Sequence, residues 1–208
     1  FARKVARPRW LLYCWIFKFE TLAGIKEVKI INERNNEKEK NNENERTNES
    51  NERKGNNERK GKRKFKVNMG KIKEFKEMNA CNFPGFYVNV GNPHFIMKWN
   101  DVEIVNVKEI GKAIRYCNQF KNGTNAHFIQ KIKNNEYKIR SYERGVEDET
   151  LACGTGICSS AYAMFKKFNE RKFLFHARGG DVKIDINENE EIFMTGDASY
   201  IFEGNIEI

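Results

Sequence analysis

Thirty-three consecutive residues, 32–64, carry no apolar side chain. They comprise ten Asn, eight Glu, eleven Lys or Arg, and only Thr47, Ser50, Gly55 and Gly61 besides. Such a segment has nothing to bury and cannot offset the entropy of ordering its backbone, so it is expected to be disordered. Its Asn-Glu-Arg triplets, as at Asn32-Glu33-Arg34 and Asn51-Glu52-Arg53, recur without a fixed period. That marks slipped low-complexity sequence, not a structural repeat; a polyampholyte tether for a partner is the functional alternative. The core must come from the remaining 175 of 208 residues. Loop-closure cost grows slowly with length, so a fold can tolerate the interruption.

The formal net charge of +9 divides into +5 over residues 1–31, +3 over 32–64 and +1 over 65–208. A basic chain invites a nucleic-acid reading, but the excess lies almost wholly outside the part that can pack a core, so no nucleic-acid partner is expected. No apolar run approaches the roughly 20 residues of a membrane span, so no membrane partner is expected either. Five cysteines, an odd number, without a signal peptide point to a reducing cytoplasm and not to a disulfide framework. Cys81, Cys117 and Cys158 are then buried or surface thiols.

Period-two alternation flanks the insert, at Phe17–Leu22, Glu27–Ile30 and Phe65–Met69. Further on, strands are expected at Phe86–Val90, Phe95–Trp99, Val102–Val107, Ala126–Lys133, Tyr137–Tyr142, Lys172–Ala177, Asp181–Ile186, Glu191–Thr195 and Ser199–Phe202. One segment differs: Gly156–Phe168 sets Ile157, Ala161, Met164, Phe165 and Phe168 at helical spacing, with Lys166 and Lys167 in its last turn. The expected class is α+β, one helix served by a mostly antiparallel sheet.

The run from Glu143 to Gly156, ERGVEDETLACGTG, carries the chemistry. It leads from a strand through a charged loop to Cys153, then Gly154-Thr155-Gly156, then the helix. The free N–H groups of a helix's first turn bind anions, and glycine lets a ligand come close to the backbone. The same dipole lowers a thiol's pKa, so Cys153 is expected to form a thiolate beside a carboxylate held at 154–156. Upstream, Glu143 and Arg144 are suited to gripping an ammonium and a carboxylate, and Gly91-Asn92-Pro93-His94 offers an amide and an imidazole on a rigid turn. The plainer alternative is a small buried thiol before two turn-forming glycines.

These residues resemble the second catalytic-cysteine motif of the diaminopimelate epimerase family. The likeness extends to Glu20–Ile25, Val67–Gly70, Gly91–His94, Gly123–Phe128, Met194–Ala198 and Phe202–Gly204, in family order. It implies interconversion of LL- and meso-diaminopimelate, for lysine and peptidoglycan synthesis, with no metal and no cofactor. Two cysteines do the work, one removing the α-proton from one face and the other returning a proton to the opposite face. They must hold opposite protonation states. By resemblance Cys153 is one of the pair. Gly154 and Thr155 bind the α-carboxylate, Glu143 and Arg144 contact substrate, and Asn92 and Asn125 supply contacting amides. His94 tunes the cysteines, as does Glu143. His127 and His176 fall outside these roles and read as structural or surface residues. The implied partner is a small molecule, diaminopimelate, with a homodimer allowed.

The family's fold is two similar halves, each a mostly antiparallel sheet or barrel around a central helix. Here 1–78 resembles an incomplete first half, 79–196 a complete second half, and 197–208 a strand returning to the first. The family's first cysteine lies in a Gly-Asn-Gly…Arg-Cys motif that this sequence lacks, and Phe1-Ala2-Arg3 resembles the residues just after that cysteine. The expectation is an N-terminally truncated chain with one half-site, inactive alone; Cys14 is a poor substitute, lacking a glycine-rich helix start. The alternatives are a related cofactor-independent racemase or isomerase, and a non-catalytic amino-acid-binding module.

Overall fold

The computed structural model describes residues 16–21, 24–31 and 63–198, with side chains from residue 64 onward. Twelve strands and two helices succeed one another: β1 (Ile16–Thr21), β2 (Gly24–Ile31), β3 (Arg63–Gly70), β4 (Glu74–Ala80), β5 (Phe83–Asn89), β6 (Pro93–Lys98), α1 (Val107–Arg115), β7 (Asn125–Lys133), β8 (Glu136–Glu143), β9 (Asp148–Thr150), α2 (Gly154–Phe168), β10 (Lys172–Ala177), β11 (Gly180–Ile186) and β12 (Ile192–Ala198). The class is α+β. The strands form one sheet in the order β1-β2-β3-β12-β11-β10-β8-β7-β6-β5-β4, with β9 added at β8. Pairing is antiparallel except for β6 with β7 and β8 with β10, which are parallel.

α2 is enclosed on every side: each residue from Gly156 to Phe165 is buried. A helix apolar all round belongs inside a core, and the sheet supplies that core. Phe86, Val88, Ile96, Ile129, Tyr137, Phe175, Ile184 and Ile192 come from seven strands to pack on Ile157, Ala161 and Met164. Small residues at Cys158, Ser159, Ser160 and Ala163 let the strands come close from directions a one-sided helix would leave to solvent. The helix ends on Asn169, in the left-handed conformation at φ 57°, whose N–H returns to the Phe165 carbonyl.

The outer face of the sheet is covered by α1. Sequence alternation predicts a strand at 102–107; instead the chain turns there and enters a helix, so the described residues hold two helices and not one. The start signal is local. Asn106 accepts from the Glu109 N–H and donates its side-chain amide to the Glu109 carboxylate, a reciprocal cap over an apolar stripe of Val107, Gly111 and Ile114. Gly111 is required by packing, since a Cβ there would lie 2.5 Å from Tyr142 Cβ on β8. A second core layer of Phe95, Val102, Val107, Ile114, Phe128 and Tyr142 fills this side.

Several further expectations change. Arg63 and Lys64 open β3 and pair with Ala198, Asp197 and Ile31, so residues 63 and 64 do not belong to the insert; residues 32–62 lie outside the described residues, as do Cys14 and 199–202. The boundary at 78/79 falls inside β4, which pairs along its length with β5, and the boundary at 196/197 falls inside β12. β4 and β9 are strands that alternation does not reveal. Cys81 and Cys117 are not thiols but a disulfide with Cα atoms 6.1 Å apart. Packing α1 across the sheet brings the β4–β5 turn against the segment after α1, where Gln119 also bonds the Cys81 N–H and the Asn79 carbonyl. An odd thiol count therefore carries no argument about compartment. No helix among the described residues is long and apolar enough to cross a membrane.

Candidate active site

The site forms where β6 and β7 begin and β8 ends, beside the start of α2. The parallel pairing of β6 with β7 sets His94 opposite Asn125 and Ile96 opposite His127. The antiparallel pairing of β7 with β8 sets His127 opposite Ser141. The hairpin from β8 to β9 then returns the chain through Leu151 and Ala152 to Cys153. A buried ion pair fixes that return. Arg140 on β8 donates two bonds of 2.7 Å to Glu149 on β9, with both side chains about nine-tenths buried. Its remaining nitrogen bonds the carbonyls of Val102 and Val105, and Arg178 adds a second contact to Glu149 at 3.1 Å.

Cys153 is the N-cap of α2, extended at φ −118°, and 4% exposed. Its sulfur lies 3.8 Å from the Thr155 hydroxyl, with the Gly156 N–H and the Glu143 carboxylate nearby. Burial pushes the thiol up to about 12, and the negative charge of Glu143 adds to the shift; the Gly156 N–H and Thr155 oppose it more weakly. The expected thiolate is thus corrected to a thiol. The helix N-terminus favours the anion, but desolvation beside a carboxylate disfavours it more. Glu143 itself is held by the Thr150 hydroxyl.

His94 and His127, both 0% exposed, are hydrogen-bonded ring to ring, His94 Nδ1 to His127 Nε2 at 2.8 Å. His127 Nδ1 lies 2.9 Å from Ser141 Oγ. Burial, helped by the Arg144 charge, holds His94 down to about 3, and burial holds His127 well below the usual imidazole range. Both rings are neutral at pH 7. Sequence alone gives His127 no role beyond a structural one; its register opposite Ser141 and Ile96 is the signal that finds it. It also accounts for the second glycine of Gly-Thr-Gly. A Cβ on Gly156 would lie 2.1 Å from His127 Cε1, so this glycine makes room for the imidazole. One nitrogen from each histidine and the Cys153 sulfur lie within 4.8 Å of one another. With both His127 nitrogens engaged, the group offers two open donors at most, fewer than the three protein ligands of a typical zinc site.

Asn125 is 3% exposed and its amide braces two loops, donating to the Pro93 carbonyl at 2.8 Å and accepting from the Arg144 N–H at 2.9 Å. Arg144 is part-exposed and bonds the Asn122 carbonyl. It lines a cleft of about 530 Å³ together with Tyr87, Gly91, Pro93, Phe120 and Gly123, a volume suited to a small molecule. Asn92 sits half-buried in the turn at its edge, whereas Cys153, His94, Glu143 and Asn125 lie outside the lining. Gly154 and Thr155 are half-buried in the first turn of α2. Cys158 is wholly buried in the same helix, and His176 sits at the surface between Asp181 and Glu136.

A family model described as diaminopimelate epimerase matches residues 86–201, more than half of the chain. The protein of Aquifex aeolicus named diaminopimelate epimerase is 42% identical over 127 residues, covering 59% of this chain and 46% of its own. The one of Thermotoga maritima is 37% identical over 132 residues, 64% of this chain and 53% of its own. The chain thus spans about half the length of the curated relatives it matches. Among solved structures, a phenazine biosynthesis protein of the PhzF family from Bacillus anthracis superimposes with a TM-score of 0.60 at 14% identity, over 93% of this chain and 69% of that one. A hydroxyproline epimerase from Agrobacterium vitis superimposes with a TM-score of 0.59 at 10% identity, over 93% of this chain and 60% of that one. These two share the fold. On its match over residues 86–201, the chain belongs to the diaminopimelate epimerase family.

Proposed function

We propose that this chain carries the Cys153 half of a cofactor-independent epimerisation site acting on the α-carbon of diaminopimelate. The observation that supports it most is a single one: a buried cysteine at the N-terminus of a buried helix, beside a carboxylate. In one direction Cys153 donates its S–H proton to the α-carbanion, forming the new C–H bond and leaving a thiolate. In the other, that thiolate takes the α-proton, and the electron pair of the broken C–H bond delocalises into the α-carboxylate. A thiolate from so weak an acid is a strong base. The N–H groups of Gly154 and Thr155 receive the charge that develops on the carboxylate. Glu143 contacts the α-ammonium, and Arg144, which lines the cleft, the far carboxylate. Inversion needs a second proton-transfer group on the opposite face. A small-molecule partner and a cytoplasmic setting belong to the same reading.

Calorimetric titration of the chain tests the specificity. LL- and meso-diaminopimelate are expected to bind, and lysine, which lacks the second carboxylate, is expected to bind weakly. Arg144→Ala should weaken diaminopimelate at least roughly tenfold, the scale of one charge-assisted hydrogen bond. Equal affinity for lysine, or an unchanged affinity in Arg144→Ala, contradicts the assignment. Tighter binding of proline would favour a related racemase.

A further inference from the structure

β4 and β5 are joined by two residues, Cys81 and Asn82, between the paired Ala80 and Phe83. Both have positive φ, 46° and 70°, the signature of a type I′ hairpin turn. Asn82 suits that conformation. Cys81 carries a Cβ that disfavours it, and Asn, Asp or Gly is the usual choice at the first position. A residue held against its backbone preference points to a separate use for its side chain. That use is the bond to Cys117, in the turn that leaves α1.

The bond joins two walls of the cleft that Arg144 lines. Lys76, Met78 and Tyr87 come from the hairpin that Cys81 turns; Gln119, Phe120 and Gly123 come from the segment that Cys117 opens. Across this seam the Phe120 ring stacks on Tyr87 with centroids 5.8 Å apart, and Gln119 bonds the backbone of Asn79 and Cys81. Within the segment, the Phe120 N–H returns to the Cys117 carbonyl and the Gly123 N–H to the Phe120 carbonyl. These are single turns outside any helix or strand, the kind of structure that opens at low cost. At the far end the Asn122 carbonyl accepts from Arg144. A covalent tie at Cys117 therefore bears on the placement of the Arg144 guanidinium.

We infer that Cys81 and Cys117 form a redox-responsive clasp on this cleft, which holds its two walls in place as a disulfide and frees them as two thiols. The reductant is an external dithiol. Cys81 is exposed and Cys117 is 5% exposed, so the attacking thiolate reaches the Cys81 sulfur. The Cys81–Cys117 bond breaks, a mixed disulfide forms at Cys81, and Cys117 leaves as a thiolate that takes up a proton. The second thiol of the reductant then displaces Cys81, which also ends as a thiol, and the reductant ends as a disulfide. Two electrons and two protons have passed to the chain, and oxidation reverses the sequence.

The ligand of the cleft rests on the proposed function; the clasp itself is read without it. The full chain is equilibrated with oxidised glutathione or with dithiothreitol, alkylated under native conditions and mapped by peptide mass. Cys81 and Cys117 are expected to be protected after the first and alkylated after the second. A pair that stays bonded in dithiothreitol, or that never forms, overturns the inference. Amide hydrogen exchange over residues 118–123 should quicken at least roughly tenfold on reduction, while β7 stays unchanged. Equal exchange in the two states overturns the inference as well. Diaminopimelate should bind the reduced chain about fivefold to tenfold more weakly, the loss when a segment holds its binding conformation for only about a fifth to a tenth of the time. Faster exchange with undiminished affinity would mean that the segment moves without touching the ligand, and contradicts the clasp. Cys81→Asn with Cys117→Ser gives the turn a residue it prefers and removes the bond. This variant should bind like the reduced parent and ignore dithiothreitol; affinity equal to the oxidised parent's would reduce the disulfide to a staple. No binding in either state, with the exchange difference as expected, would overturn the proposed ligand and leave the clasp standing.

Discussion

Replacing Arg140 by Met is expected to destabilise the fold by about 3–5 kcal/mol, the cost of breaking a buried ion pair by removing one partner. The residue left behind is Glu149, about nine-tenths buried and reached otherwise by Arg178 at 3.1 Å. The same change strands the carbonyls of Val102 and Val105, which Arg140 bonds at 2.8 and 3.0 Å. These contacts tie β9 and the entry to α1 onto β8, so the hairpin that leads to Cys153 loosens together with the turn before α1. Urea denaturation gives the free energy directly. A double variant, Arg140→Met with Glu149→Leu, should recover much of the loss, because it removes the orphaned charge as well. Full stability in Arg140→Met alone would mean that the hairpin is held by its strand pairing and that the ion pair is incidental.

Acid should weaken the chain through its buried imidazoles well before most of its carboxylates are protonated. Unfolded, His94 titrates near 6.5; folded, burial and then the Arg144 charge hold it to about 3. At pH 7 the ring is neutral in both states and costs nothing. Below pH 6.5 the unfolded chain takes up a proton that the folded chain refuses, so stability is lost as pH falls, until the folded ring protonates near 3. At pH 4.5 the loss from His94 is about 3 kcal/mol, from two pH units at about 1.4 kcal/mol each. His127 is shifted the same way and adds to it. Denaturation curves at pH 7 and 4.5 for the parent chain and for His94→Asn measure the difference. The variant's stability should fall by about 3 kcal/mol less than the parent's over that range. Parallel losses would mean that His94 is protonated in the fold.

Much of the sheet is legible in the sequence because period-two alternation maps onto one buried face. Lys172–Ala177 is a strand with the bounds its sequence predicts, and Phe95–Trp99 and Tyr137–Tyr142 shift by one or two residues. α1 escapes that reading because Val102 and Ile104, then Val105 and Val107, mimic alternation, although the three valines face the same core layer from a turn and a helix start. The capping pair Asn106 and Glu109 is the better signal. At the site, a helix start and a glycine run locate Cys153 and its neighbours. They imply the wrong protonation state, because a helix dipole is local while burial and the Glu143 charge come from the wrapped sheet. His127 is hidden for the same reason: its partners His94 and Ser141 are 33 and 14 residues away, and only strand register joins them. The disulfide between Cys81 and Cys117, 36 residues apart, depends likewise on how α1 docks.

The central claim, that Cys153 moves a proton at the substrate's α-carbon, is tested most directly by deuterium. The chain is incubated in D₂O with LL- or meso-diaminopimelate, and loss of the α-proton resonance is followed by NMR. Incorporation at the α-carbon is expected, abolished in Cys153→Ala under conditions where diaminopimelate still binds. Incorporation that continues unchanged in Cys153→Ala, or its absence from a parent chain that binds the ligand, would contradict the account.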